Sequence, residues 1–328
     1  MRAVWYDRQG PAREVLRFGE RPTPAPGRGE ALVRLKASGI NPSDVGMRGG
    51  ASGPMAYPLI VPHSDGAGVV EAVGPGVSPT MIGKRVWFYN GQRNGRAFGT
   101  AAEYIELDID LTSELPDAVS FAEGATLGIP CMTAHRALFL AGPVQGRTVL
   151  VTGGAGAVGH YAVQLAKWAG ARVIATVSSA AKAERAQAGG ADHVIDYKTE
   201  DVAARVLEIT GGEGVDHVVD VDFGGNLAAT LPSLRAGGSI AFYASRGAAT
   251  PKVPAFELMR RNLSVHGVLL PTSPHEARRR AQSDITRWIK TGARILSVAG
   301  RYPLAEAAAA HEAVERGDKV GTVVVEPA

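Results

Sequence analysis

The stretch VLVTGGAGAVGHYAVQLAKWAGARVIATVSS, Val149 to Ser179, limits the folds open to this chain more than any other. Val149, Leu150 and Val151 form a short apolar run suited to a buried parallel strand. A complete G-x-G-x-x-G follows: Gly154, Ala155, Gly156, Ala157, Val158, Gly159. Val158, Ala162, Leu165 and Ala169 then recur at helical spacing, Gly170 ends that helix, and Val173 to Val177 form the next strand. In such a unit the first glycine permits a tight turn. The second lets the backbone approach a pyrophosphate, and the third allows close helix–strand packing. The helix N-terminus directs free N–H groups and the positive end of its dipole at phosphates. The unit predicts dinucleotide binding; the bland alternative is a glycine-rich turn in an ordinary βαβ unit.

An NAD site usually carries Asp or Glu about 20 residues on, at the end of the second strand, to hold the ribose 2′-OH. This chain has Ser178 and Ser179 there, with Lys182 shortly after, and its nearest downstream carboxylate is Glu184. Hydroxyls and an ammonium suit a 2′-phosphate, which a carboxylate would repel. Tyr197, in VIDYK after the third strand, is placed to close the same pocket. The charge pattern favours NADP over NAD. The plainer readings are a solvated lysine at a helix start and a strand-end aromatic.

Outside this unit the chain alternates strand and helix from Thr148, with strands expected at 148–152, 172–177, 193–196, 216–221, 239–243 and 263–269 and helices at Ala180 to Gly189 and Asp201 to Thr210. Six such strands predict an α/β fold, a Rossmann doubly wound parallel sheet. The first 120 or so residues read as β-rich, with strands at Arg2 to Tyr6, Glu30 to Ala37, Gly66 to Val73, Arg85 to Tyr89 and Ala101 to Glu106, a pattern of a partly open barrel. After Leu270 the alternation ends. A helix (Pro274 to Thr291), an Ala-rich helix (Leu304 to Arg316) and a strand (Thr322 to Val325) are expected to return to the N-terminal domain. The expected division is 1–122 with 270–328 as the β-rich domain and 123–269 as the nucleotide domain, with the active site in the cleft between them.

The net charge is +3 and the basic residues are dispersed, Arg278-Arg279-Arg280 being the one triple, so a nucleic-acid partner is not expected. No apolar run reaches membrane-spanning length and MRAVWYDRQG has no signal-like core. Cys131 is the one cysteine, which suits a reducing compartment. Cytoplasmic location is the expectation.

The segments ASGINPSDVGMRGG (37–50), VPHSDGAGVVEAVG (61–74), TAAEYIEL (100–107), IPCMTAHRALF (129–139), LPSLRAGGSIAFYASRG (231–247) and LSVHGVLLP (263–271), with the glycine unit, resemble the medium-chain dehydrogenase/reductase superfamily and, within it, the zeta-crystallin-like NADPH:quinone oxidoreductases. The resemblance covers nearly the whole chain. It implies a GroES-like catalytic domain beside the Rossmann domain, NADPH as cofactor, a small-molecule quinone or enone as substrate, and a homodimer. Where zinc-dependent alcohol dehydrogenases place Cys, His and Cys, this chain has Asn41, Ser64 and Ile129. His63, Cys131 and His135 lack ligand spacing. The expectation is hydride transfer without a metal.

The resemblance implies Asn41 as amide donor to the developing oxyanion, Asp44 as its orienting partner, and Arg48 as a contact to a substrate oxygen or to a surface carboxylate. It places Thr133 beside the nicotinamide, the backbone at Val268, Leu269 and Leu270 at the carboxamide, and Ala244, Ser245, Arg246 and Asn226 around the cofactor. Relatives often carry tyrosines where this chain has Gly46, Ser52 and His135. Two other functions stay open: an enone or enoyl-thioester reductase, and a non-enzymatic NADPH-binding protein of crystallin type.

Overall fold

The computed structural model describes residues 1–92, 95–317 and 319–327. In chain order its strands are β1 (Arg2–Trp5), β2 (Arg17–Glu20), β3 (Glu30–Ile40), β4 (Asp65–Val73), β5 (Arg85–Phe88), β6 (Tyr104–Asp108), β7 (Thr112–Glu114), β8 (Thr148–Val151), β9 (Arg172–Val177), β10 (His193–Asp196), β11 (Val215–Asp220), β12 (Leu234–Phe242), β13 (Ser264–Gly267), β14 (Val298–Pro303) and β15 (Thr322–Glu326). Among the described residues, β8 to β13 form a six-stranded sheet in the order β10-β9-β8-β11-β12-β13, every neighbouring pair parallel. Counted from β8, this is the 3-2-1-4-5-6 order of a doubly wound nucleotide-binding sheet. The expected Rossmann fold is present.

Its central strands explain their apolar spelling. Val149 to Val151 and Val173 to Val177 are buried without a break, so residues pointing to opposite faces are both covered. Leu150, Ile174, Ile195, Val218 and Ile240 pack with Val206, Leu227 and Leu231 from the helices Val202–Ile209 and Phe223–Ser233. Each such side chain contributes about 1.5–3 kcal/mol through burial.

The other large sheet has seven strands in the order β14-β15-β3-β4-β5-β7, with β6 also on β3. All its pairings are antiparallel except β14 with β15. The C-terminal β15 lies beside β3, Val324 opposite Gly39. The helix Ala307–Glu315 adds Ala307, Ala310 and Val314 to the core formed by Val33, Leu35, Ile105, Leu107 and Val325. The strand expected at 101–106 is displaced to Tyr104–Asp108, because Ala102 pairs as a single bridge with Ala3 and β6 turns to β3. Strands β2, β7 and β14 and the helix Pro42–Gly49 were not foreseen.

The chain divides into two compact units, Met1–Pro130 with Gln282–Lys290 and Ile295–Ala328, and Cys131–Ala281 with Thr291–Arg294. The first break falls at 130/131, just after Ile129, whose N–H donates to Asp65 on β4 at the start of the helix Ile129–Phe139. The second falls inside the helix His275–Lys290, between Ala281 and Gln282. There the Gln282 amide bonds to the carbonyls of Asp110 and Thr112 in the first unit.

Candidate functional site

The second unit carries the nucleotide elements. Between β8 and the helix Ala157–Trp168 the chain turns at Gly153, whose φ of +63° makes it the left-handed residue, one position before the motif. A Cβ on Gly154 would lie 2.7 Å from that of Ala175, and one on Gly159 would lie 2.3 Å from the Gly153 carbonyl oxygen. The loop therefore lies flush on β9 and on its own start. Gly153 N–H donates to Thr176 Oγ1 (3.1 Å), Gly154 N–H to the Thr176 carbonyl (2.9 Å) and Gly156 N–H to the Gly153 carbonyl (2.9 Å). Ala157, Val158 and Gly159 open the helix, so their N–H groups have no carbonyl one turn back. This is a cradle for a pyrophosphate, and the residues fit a dinucleotide.

At the C-terminal ends of β9 and β10 the three polar residues meet. Ser179 caps the helix Ala180–Ala188, accepting at 3.4 Å from Lys182 N–H, and Lys182 Nζ donates to Ser178 Oγ at 2.9 Å. Tyr197 N–H donates to the Val177 carbonyl at 3.1 Å, which sets its exposed ring at the same edge. The strand order reverses between β8 and β11, where Thr152 Oγ1 donates to Asp220 Oδ1 (2.8 Å). Asn226 Nδ2 donates to the same oxygen at 2.7 Å, so this amide orients Asp220. After β12, Ala244 accepts from Phe223 N–H and Ser245 Oγ from Gly224 N–H, while Arg246 is exposed. After β13, Val268 N–H donates to the Phe242 carbonyl; Val268 and Leu270 are buried and Leu269 is exposed. Thr133 is buried on the helix Ile129–Phe139.

In the first unit Asn41, Asp44, Ser64 and Asp65 are buried together. Asn41 is the N-cap of the helix Pro42–Gly49 and its N–H donates to Asp44 Oδ2 at 2.8 Å. Asn41 Nδ2 donates to Asp65 Oδ2 (2.7 Å), and Ile129 N–H to Asp65 Oδ1 (2.8 Å). Arg48 is buried with its guanidinium on the Glu315 carboxylate and the Gly10 carbonyl, the carboxylate alternative of the two foreseen for it. Among the described residues no three His, Cys, Asp or Glu side chains gather closely enough to hold a metal ion.

His63 lies next to this cluster in sequence, at φ +76°, a left-handed conformation that is strained for a non-glycine residue. Two hydrogen bonds hold it: Nδ1 with Ser38 Oγ (2.9 Å) and Nε2 with His311 Nε2 (2.8 Å). The proton positions follow from counting hydrogens. Thr100 donates to the Asp65 carbonyl (2.8 Å), so it accepts from Ser38 (2.6 Å); Ser38 then accepts from His63 Nδ1–H. His63 Nε2 is therefore an acceptor and His311 Nε2–H the donor. Burial pushes the His63 pKa down to about 3 and holds His311 well below the usual imidazole value. A neutral imidazole with both nitrogens engaged is a structural member of the cluster and not a proton donor.

Comparison with known proteins decides the family. Residues 27–117 match the alcohol dehydrogenase GroES-like domain and residues 157–286 the zinc-binding dehydrogenase domain. The chain is 31% identical to the quinone oxidoreductase of Rattus norvegicus, over 99% of this chain and 97% of that one. It is 35% identical to a 2-haloacrylate reductase of Burkholderia sp, over 100% and 99%. Its fold matches the structure of Escherichia coli quinone oxidoreductase complexed with NADPH, with a TM-score of 0.85 at 30% identity and 100% of both chains covered. The chain belongs to the quinone-oxidoreductase family of the medium-chain dehydrogenases/reductases.

In this quinone-oxidoreductase family member Gly46 and Ser52 adjoin: a Cβ on Gly46 would lie 3.1 Å from Ser52 Oγ. His135 is buried with its ring tilted on Phe139 at 4.6 Å. Sequence reasoning missed Asp65, Asp220, Thr152 and Arg185. Arg185 Nε donates to the Ala155 carbonyl of the glycine loop at 3.0 Å. Asp65 had a signal, since it ends the HSD that stands where zinc enzymes carry a ligand and an acid.

Proposed function

We propose that the protein is a reductase that uses NADPH to reduce a quinone or a related activated carbonyl compound without a metal ion. The observation that carries this is the cluster of Ser178, Ser179 and Lys182 at the end of β9, beside a glycine loop closed to side chains. The helix start at Ala157 to Gly159 would hold the pyrophosphate, and the Lys182 ammonium with the two serine hydroxyls the 2′-phosphate. When bound, NADPH supplies a hydride from its nicotinamide ring. Thr133, Asn226, Ala244, Ser245, Arg246 and the backbone of Val268 to Leu270 belong to the same reading as cofactor contacts. Asp44 and Asp65 fix Asn41 from its backbone and its side chain, and the second Nδ2–H of Asn41 is the donor assigned to the oxyanion on the acceptor. Arg48 supports the helix Pro42–Gly49 rather than the acceptor.

The likeness to a 2-haloacrylate reductase favours an activated alkene as the second acceptor class. A homodimer joined at β13, an edge strand of the six-stranded sheet, and a cytoplasmic location complete the proposal. The test follows NADPH absorbance with a panel of small quinones and enones in the presence of a strong chelator. Consumption with a quinone is expected. Protein that binds NADPH tightly yet reduces nothing on the panel is instead a non-enzymatic NADPH-binding protein.

A further inference from the structure

We propose that Arg185 is a positioning residue of the nucleotide site, holding the glycine loop in its phosphate-binding shape and so setting affinity for the moiety that NADPH and NADH share. The inference rests on the nucleotide reading above. Residues 153–159 carry no side chain larger than valine. With so little packing to define it, the loop is fixed through its backbone. Thr176 holds two of its N–H groups, and Arg185 holds its Ala155 carbonyl through Nε–H at 3.0 Å. Thr176 and Arg185 do different work. Thr176 stands on β9, the strand against which Gly154 is pressed. Arg185 stands on the helix Ala180–Ala188, whose first turn carries Lys182. Arg185 therefore ties the pyrophosphate loop to the element assigned to the 2′-phosphate. It is half-buried and keeps its charge at neutral pH, so it also adds a positive group beside the loop that must take two phosphates.

The role separates from that of Lys182 by which nucleotide responds. In Arg185→Met the donor and the charge are both lost. The dissociation constants of NADPH and NADH, measured by calorimetry without any acceptor, should both rise about tenfold with their ratio unchanged. The melting temperature without nucleotide should stay at the wild-type value. Arg185→Lys, which keeps the charge but not the Nε–H, should recover part of the loss for both nucleotides, and it carries the test if the methionine variant does not fold. Lys182→Ala should weaken NADPH alone. Weakening of NADPH alone by Arg185→Met overturns the proposal by making Arg185 a 2′-phosphate ligand. Unchanged affinity for both nucleotides in folded variants overturns it as well. Wild-type protein that binds neither nucleotide overturns the nucleotide reading, and the inference with it.

Discussion

In the glycine loop the groups offered to a ligand are backbone N–H groups, shaped by residues between Gly153 and Arg185. In the cluster around Asp65 the bonds join side chains of residues 38, 41, 63, 65, 100 and 311, with Thr100 donating to the Asp65 backbone carbonyl. The first region tolerates almost no added atom, because a Cβ on Gly154 would meet that of Ala175 and one on Gly159 the Gly153 carbonyl. The second tolerates almost no lost atom, because each buried polar group depends on the next and an unpaired one costs about 1–3 kcal/mol. One region is sensitive to gain and the other to deletion.

The largest effect expected from that contrast is in the loop. Gly159→Ala places a methyl 2.3 Å from the Gly153 oxygen, which cannot move without moving the loop. A loss of about 3 kcal/mol, roughly a hundredfold in NADPH affinity, should appear by calorimetry. Unchanged affinity would show that the loop is softer than its packing implies.

Next is deletion in the cluster. Asp65→Ala leaves Asn41 Nδ2 and Ile129 N–H without their acceptor. It should cost about 2–4 kcal/mol of stability, read by denaturant unfolding, while NADPH affinity stays at the wild-type level. Loss of nucleotide binding at full stability would break the division of labour between the two regions.

Histidines sharpen the comparison. His63 in the cluster and His160 behind the loop both have pKa values pushed to about 3, chiefly by burial. Both are neutral in the folded protein and titrate near 6.5 when unfolded. The unfolded chain therefore binds more protons between those values. The stability they contribute is complete above about pH 6.5 and is lost as pH falls towards 3, by up to about 1.4 kcal/mol per pH unit for each. His63 is hydrogen-bonded on both nitrogens, whereas neither ring nitrogen of His160 has a partner. His63→Leu should destabilise at pH 7. His160→Met should be neutral or stabilising there and should flatten the acid limb of a melting-temperature profile against pH. A strongly destabilised His160→Met would mean that the ring has a bonding role. The smallest effect is Lys182→Ala, an exposed ammonium: the NADPH/NADH preference should fall about fivefold, measured from the two dissociation constants.

The same contrast explains what the sequence could say. The β8 unit was legible because its signal is local: an apolar run, three glycines and a helical period sit side by side. The parallel sheet followed from the strand–helix alternation. The cluster was not legible, because no period or spacing in one chain pairs His63 with His311, which is 248 residues away. Asn41 was found through family resemblance, but its partner Asp65 looked like one acid in a glycine-rich strand. Arg185 looked like any charged residue of an amphipathic helix. Strand β14 was missed because its pattern, AGRYP, is half-exposed and holds the Gly and Pro of an edge.

The pairing of β15 with β3 also sets an order of events during synthesis. The parallel sheet of the second unit is complete at Gly267, and Arg294 is the last residue of that unit. The sheet begun by β3 closes only when Thr322–Glu326 has left the ribosome. The unit that contains β3 can therefore complete its sheet only after the residues of the inserted unit have been synthesised, and until then Ser38 to Ile40 of β3 lack their partner strand.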